Sequence, residues 1–223
     1  MNPKKAVLFI GSPKERSASE ALGAYLLGKL KEKGLSTDKI KIDKLVSTER
    51  GQLELFDAVN QADIIVFSCP LYVDSPPAPV IKAMELIREN RKGKGKENGK
   101  KFLAISNCGF PEAFHNHTAL EIYKEFASEA GFKWLGGLAL GGGPAVQSSE
   151  LTKIGGMAKN IMRSLDTAAN DIVEKEALSQ EAVELMARPL VPAWMYLFIA
   201  GFGWKIQAKK HGVSRSINDC PYE

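Results

Sequence analysis

An apolar run, Ala6-Val7-Leu8-Phe9-Ile10, stops abruptly at Gly11-Ser12-Pro13, and Lys14-Glu15-Arg16-Ser17-Ala18-Ser19 then leads into Ala21-Leu22, Tyr25-Leu26 and Leu30 at helical spacing. This succession of strand, hydroxyl-rich loop and helix constrains the fold more than any other stretch. The strand does not alternate polar and apolar residues, so both of its faces are covered, as in a parallel sheet between layers of helices.

The unit recurs along the chain. Strands are expected at 5–10, 37–41, 64–68, 101–106 and 133–140, all read as apolar runs buried on both faces. Helices are expected at 19–33, 51–60, 78–89 and 118–130, with a long one beginning at 150. In that last helix Leu151, Ile154, Met157, Ile161, Leu165, Ala168 and Ile172 recur at spacings of three and four, giving one apolar face against the sheet. Strand–helix units joined by right-handed crossovers make an α/β fold of the flavodoxin-like, doubly wound type, with a five-stranded parallel sheet ordered 2-1-3-4-5. Ligands of such sheets lie beyond the carboxyl ends of the strands, so the first, third and fourth strand ends are expected to converge on one site.

Composition excludes several classes. With 223 residues and a net charge of +4, the chain suits one large domain with an appendage and gives little reason to expect nucleic-acid binding. Its densest basic run, Arg91-Lys92-Gly93-Lys94-Gly95-Lys96 with Lys100-Lys101, reads as a solvated loop, although Lys94 and Lys96 could attract a nucleotide phosphate. Three dispersed cysteines, Cys69, Cys108 and Cys220, supply neither a disulfide framework nor metal-ligand spacing, and His115-Asn116-His117 lacks a third ligand; no metal is expected. Reduced cysteines and the lack of a signal-like amino terminus point to a cytoplasmic setting.

The most hydrophobic stretch runs from Pro189 through Trp204 and is interrupted by Pro192, Gly201 and Gly203. A bilayer span needs about 20 continuous apolar residues. This one reads as too short and broken, so contact with a membrane is not expected. The chain divides into a domain over 1–176 and an apolar helical extension over 177–223 that docks on the domain or on a second subunit, the aromatics favouring a homodimer.

The strand-end loops carry the chemistry. A helix amino terminus has unpaired N–H groups and a partial positive charge, so Ser12, Ser17 and Ser19 before the first helix suit a phosphate. Each such bond to an ionised oxygen is worth about 1.5–3 kcal/mol. A plain helix cap by Ser17 or Ser19 is the competing account. The segment is neither GxxxxGK[ST] nor GxGxxG, which favours a monophosphate over a nucleoside triphosphate or dinucleotide. The third strand ends in Ser68-Cys69-Pro70-Leu71-Tyr72-Val73-Asp74-Ser75-Pro76-Pro77, a stiff loop whose Tyr72 suits a ring face. The fourth ends in Ser106-Asn107-Cys108-Gly109-Phe110-Pro111-Glu112, where Asn107 offers donor and acceptor and Phe110 an apolar wall.

GSPKERSAS, CPLYVDSPPAPVIKAMELI and SNCGFPE resemble the corresponding segments of the flavodoxin-like NAD(P)H-dependent FMN reductases, a likeness that covers residues 4–175. The tail from Gly203 to Gly212 is similar to carboxyl-terminal extensions of some bacterial members. The resemblance implies that Ser12, Lys14, Ser17 and Ser19 hold the FMN phosphate, with Arg16 beside them. It implies that Pro70, Leu71, Tyr72 and Val73 line the isoalloxazine, and that Asn107, Cys108, Gly109 and Phe110 close the other side. NADH or NADPH would supply hydride to FMN, and a small-molecule acceptor such as a quinone, free flavin, or nitro or azo compound would take the electrons. No catalytic acid–base side chain is expected, because the flavin carries the chemistry. Cys69 and Cys108, at neighbouring strand ends, raise a redox pair, set against the ordinary role of buried cysteine as filler. An electron carrier served by protein partners is disfavoured by the positive charge and the extension. A non-enzymatic module would be recognised by failure to bind FMN.

Overall fold

A computed structural model describes residues 3–93, 99–146, 150–175 and 177–220. Five parallel strands, β1 (Lys5–Ile10), β2 (Ser36–Lys41), β3 (Ile64–Pro70), β4 (Lys101–Asn107) and β5 (Lys133–Leu140), lie in the order β2-β1-β3-β4-β5. This is the flavodoxin-like topology expected from the sequence. The three inner strands β1, β3 and β4 are buried almost throughout, as their unbroken apolar runs require. β2 departs from that expectation. It is an edge strand of Ser-Thr-Asp-Lys-Ile-Lys, with every residue exposed or half-buried, paired with β1, and its charges suit an edge that must not pair further.

The helices are α1 (Ala18–Glu32), α2 (Ile42–Leu45), α3 (Glu49–Gln61), α4 (Ala78–Arg91), α5 (His117–Glu129), α6 (Lys159–Glu174), α7 (Gln180–Ala187) and α8 (Ala193–Lys210). One core joins α1, α6 and α7 to one face of the sheet through Leu22, Leu26, Ile105, Leu138, Leu165 and Ile172. On the opposite face Phe9, Phe67, Phe102, Tyr123 and Phe126 form a chain of edge and stacked ring contacts at 5.2–6.4 Å.

The long helix expected from 150 begins instead at Lys159. Leu151 and Ile154 keep their apolar role on short 3₁₀ turns, but Gly155, at φ +71°, takes a conformation that ends a helix and leaves Met157 exposed. α7 also belongs with the sheet domain. Ala182 and Met186 are fully buried in its core, Ser164 Oγ donates to Ala182 O at 2.6 Å, and the compact units run Met1–Leu190 and Val191–Glu223, so 177–190 packs with the domain and not with the extension.

The basic run is only partly solvated; Lys94 and Lys96 lie outside the described residues. Lys100 Nζ donates to Asn60 O and Ala62 O at the end of α3, Arg91 Nε to Ala130 O at the end of α5, and Lys101 Nζ to Ile172 O and Lys175 O at the end of α6. Three cations thus close three helix carboxyl termini, where carbonyls are unpaired and the dipole favours positive charge. Burial pushes the pKa values of all three down.

In the second unit α8 runs without a break through Gly201 and Gly203, contrary to the interrupted segment expected; Pro192 is its N-cap. No helix among the described residues is long and apolar enough to cross a membrane.

Candidate functional site

β1 ends at Gly11, whose amide donates to Ser68 O at 3.0 Å. A Cβ at Gly11 would stand 2.5 Å from both Cys69 Sγ and Val80 Cγ2, so only glycine lets the chain turn here against β3 and α4. The loop that follows is held from outside by Lys41 Nζ, which donates to Lys14 O at 2.8 Å. It then enters α1, where Ser17 is the N-cap and its Oγ accepts from the Glu20 amide at 3.1 Å. The amides of Ala18 and Ser19 find no partner among the described residues, as expected of a first helical turn.

The carboxyl end of β4 reaches the same point. Asn107 Nδ2 donates to Ser19 Oγ at 2.8 Å and to Cys69 O at 3.1 Å. A carbonyl only accepts, so the amide nitrogen must face Cys69, and the donor half of Asn107 is committed to bracing. Asn116 is a second brace. Its Oδ1 accepts from Ser106 Oγ at 2.8 Å while Nδ2 donates to Ala113 O and Leu140 O, tying β4, β5 and the loop between them. The turn after β5 folds back over this junction, where the Gly143 amide donates to Cys108 O at 2.8 Å.

Together these elements enclose a pocket of about 170 Å³ lined by Ser12, Lys14, Ser17, Ala18 and Ser19, by Pro70, Leu71 and Tyr72, and by Asn107, Cys108, Gly109, Gly143 and Pro144. Ser12, Ser17 and Ser19 are all buried although polar. Among the described residues no carboxylate lines the pocket. Serine hydroxyls, free amides and a lysine make a donor-rich set that fits an anion. A serine that caps through its oxygen still has its O–H proton to give, so the cap at Ser17 and an anion-binding role are compatible.

Three expected site residues lie elsewhere. Arg16 lines a neighbouring cleft of about 760 Å³ between α1 and residues 150–153, which shares only Ser17 with the pocket. Val73 is 97% exposed at the tip of a tight turn in which the Tyr72 and Ser75 amides donate to each other's carbonyls. Val73 and Asp74 both sit in the left-handed region, at φ 49° and 57°, a type I′ turn that a β-branched residue adopts only under strain. Phe110 lies tilted against the His115 ring with centroids 4.3 Å apart, His115 stacks on Phe114 at 4.2 Å, and Phe110 is more than half exposed. That stack gives His115 its role, and no cluster of metal-ligating side chains occurs among the described residues.

Both cysteines at the strand ends are protonated at neutral pH. Burial pushes Cys69 up to about 12, against small opposing effects of Tyr123 and the Gly11 backbone, and burial raises Cys108 as well. Cys108 Sγ lies 3.6 Å from Phe110 O and 3.5 Å from Glu112 O, the contacts of a weakly donating thiol.

The model of one family, described as NADPH-dependent FMN reductase, matches residues 4–123, which carry all three strand-end loops. The chain belongs to the NADPH-dependent FMN reductase family. Comparison with curated proteins finds no match. Solved structures share the fold. An FMN-dependent NADH-azoreductase from Bacillus anthracis, solved with FMN, is 17% identical with TM-score 0.55, covering 77% of this chain and 99% of that one. An NAD(P)H:quinone oxidoreductase from Methanothermobacter marburgensis is 14% identical with TM-score 0.53, covering 77% and 96%. A flavone reductase is 18% identical with TM-score 0.58, covering 78% and 65%.

The cofactor of an FMN reductase fits this pocket on chemical grounds, since its donors suit a phosphate and no carboxylate opposes one. Sequence reasoning missed Lys41 and Asn116, which position the loops, and Gly143-Pro144, which complete the wall. The single sequence signal for the last pair was the glycine run at 141–143 just after a strand.

Proposed function

We propose that this chain is an FMN-dependent oxidoreductase that takes hydride from NADH or NADPH and reduces a small-molecule acceptor of the quinone, flavin, nitro or azo class. The observation that supports this most is the meeting of Ser12, Ser17, Ser19 and the unpartnered amides of α1 with the ends of β3 and β4 in one pocket without a carboxylate.

When bound, FMN supplies hydride acceptance and electron delivery. The chain's own residues bind and orient. Ser12, Ser17 and Ser19, through their hydroxyl protons, and Lys14, through its charge, hold the phosphate with the first amides of α1. Pro70, Leu71 and Tyr72 border the ring from one side and Asn107, Cys108 and Gly109 from the other. The Leu71 amide is already used by Asn107 O at 2.8 Å, so this wall is fixed before a ligand arrives. A pocket of about 170 Å³ is smaller than one that encloses a whole ligand, leaving an outer face of the ring open to a second reactant. Among the described residues no lining side chain is a carboxylate or histidine, and burial keeps the Cys108 thiol neutral, so no acid–base residue is assigned. A homodimer would add a wall over the open side, and a reduced nicotinamide donor suits a cytoplasmic site of action. The test is FMN binding followed by reduction with each nicotinamide: binding and bleaching support the reading, and failure of FMN to bind removes it.

A further inference from the structure

The buried serines of the sheet domain divide by where their hydroxyl proton goes. Ser68 Oγ donates to Ser19 O at 2.7 Å, Ser106 Oγ to Asn116 Oδ1 at 2.8 Å and Ser164 Oγ to Ala182 O at 2.6 Å, so each of these protons is used inside the protein. The three serines that line the strand-end pocket only accept. Ser12 Oγ accepts from the Lys14 amide at 3.4 Å, Ser17 Oγ from the Glu20 amide at 3.1 Å and Ser19 Oγ from Asn107 Nδ2 at 2.8 Å. They are 3%, 7% and 1% exposed, yet no acceptor among the described residues takes any of their protons. A buried donor is costly unless something accepts from it, and here that acceptor has to be the ligand.

At Ser19 the direction is imposed from β3. Cys69 O can only accept, so it turns the Asn107 amide nitrogen toward itself; the two N–H groups of that nitrogen are then used on Cys69 O at 3.1 Å and on Ser19 Oγ. Behind the same side chain, a Cβ at Gly143 would stand 2.8 Å from Asn107 Oδ1, so the turn after β5 backs the amide closely. An oxygen that accepts from Asn107 keeps its own proton for the pocket.

We propose that Asn107 is a positioning residue for anion selection: it holds Ser19, beside Ser12 and Ser17, as a donor toward the ligand, so that the pocket takes a phosphate monoester only as its proton-free dianion. This deepens the flavin reading and rests on it. A monoanionic phosphate carries a P–O–H donor of its own and would set it among the serine hydroxyls, the first amides of α1 and Lys14. The charged groups nearby are few. Lys14 is on the pocket wall, and Lys41 is bonded to Lys14 O; Glu15, Arg16 and Glu20 line the neighbouring cleft, where Glu20 is paired with Lys39 at 2.8 Å. Among the described residues no carboxylate or histidine lines the pocket, so phosphate itself, whose second pKa is about 6, is the group whose charge changes in mild acid.

The test follows FMN binding to the full chain by flavin fluorescence from pH 8 to pH 5 at constant ionic strength. Inorganic sulfate, a dianion without a proton throughout that range, is the competing probe. FMN should bind equally at pH 8 and pH 7 and about tenfold more weakly at pH 5 than at pH 7, following the dianion fraction, while the inhibition constant of sulfate stays within about twofold. Asn107→Ala should weaken FMN at least tenfold in the wild-type background and less than twofold once Ser19→Ala is present, with each variant measured where circular dichroism shows it folded. A bracing role alone would cost the same in both backgrounds. The proposal is overturned by FMN affinity that ignores pH, by sulfate that weakens in parallel with FMN or never displaces it, or by equal losses in the two backgrounds. Failure of the flavin reading looks different: FMN then forms no complex at any pH, and the proposal falls with it.

Discussion

Asn107 and Ser19 stand 88 positions apart in sequence and are joined by one hydrogen bond, from Nδ2 of Asn107 to Oγ of Ser19 at 2.8 Å. The same nitrogen reaches Cys69 O, so a single buried amide ties the end of β4 to the end of β3 and to the first turn of α1. Replacing it by alanine removes both side-chain bonds, while Cys69 O keeps the β-ladder amide of residue 107, at a cost of about 1–3 kcal/mol for the two bonds together. Asn107→Asp sets a carboxylate against that carbonyl and brings negative charge to the anion pocket, and is expected to weaken FMN by at least tenfold. Urea unfolding and flavin-fluorescence titration measure the two effects; unchanged affinity in Asn107→Asp would mean that the pocket holds no anion.

The serines of the loop serve helix and ligand together. Ser17→Ala removes the cap of α1 and should cost about 1 kcal/mol of stability. Combined with Ser19→Ala it should weaken FMN by at least tenfold, about 1.4 kcal/mol. The double variant is read by flavin titration at a temperature where its fold is intact by circular dichroism, and wild-type affinity there would place the phosphate elsewhere.

Thiol reactivity follows burial. Cys69, pushed up to about 12 by burial, and Cys108, raised by burial, stay protonated at mildly alkaline pH, whereas Cys220 is exposed. An aromatic disulfide reagent should therefore titrate one thiol per native chain and all three after denaturation. Rapid reaction of a second native thiol, lost in Cys69→Ala or Cys108→Ala, would revive the redox-pair expectation.

Acid should loosen the junction of α6 and α7. Asp171 Oδ2 accepts from the Ser179 amide at 2.7 Å and the Ser179 hydroxyl at 2.6 Å, and Oδ1 faces Lys175 Nζ at 2.7 Å. Burial pushes the Asp171 carboxyl up, but the bonds from Lys175 and Ser179 outweigh it and hold it below the ordinary carboxylate range. A carboxyl depressed in the folded state adds stability that is fully present above its unfolded pKa and is lost as pH falls through its folded one. Asp171→Ala should cost about 2 kcal/mol at neutral pH, and the gap from wild type should shrink toward pH ~3. A gap that stays constant across that range would contradict the assignment.

The sheet was legible because its inner strands are continuous apolar runs, and Gly11, Pro70 and Asn107 mark where they end. The site loops followed from those ends. What escaped the sequence depended on tertiary return. Gly143-Pro144 become pocket wall only because the turn after β5 bonds back to Cys108, and Lys100 and Arg91 look like surface charge until the helix ends that they close are in place. Periodicity misled at Leu151, Ile154 and Met157, where a helical spacing is kept across turns that Gly155 interrupts. It misled in the opposite sense at Gly201 and Gly203, since an isolated glycine costs a helix only about 1 kcal/mol and the flanking residues carry it through.

The proposed function requires the pocket at the ends of β1, β3 and β4 to bind FMN and expose it to a reduced nicotinamide. Anaerobic absorbance titration of the FMN-loaded protein with NADH and NADPH in parallel tests it most directly. Rapid bleaching of the flavin by one or both is the predicted result. Bound flavin that neither nicotinamide reduces would contradict the reductase account and turn the search to a protein electron donor.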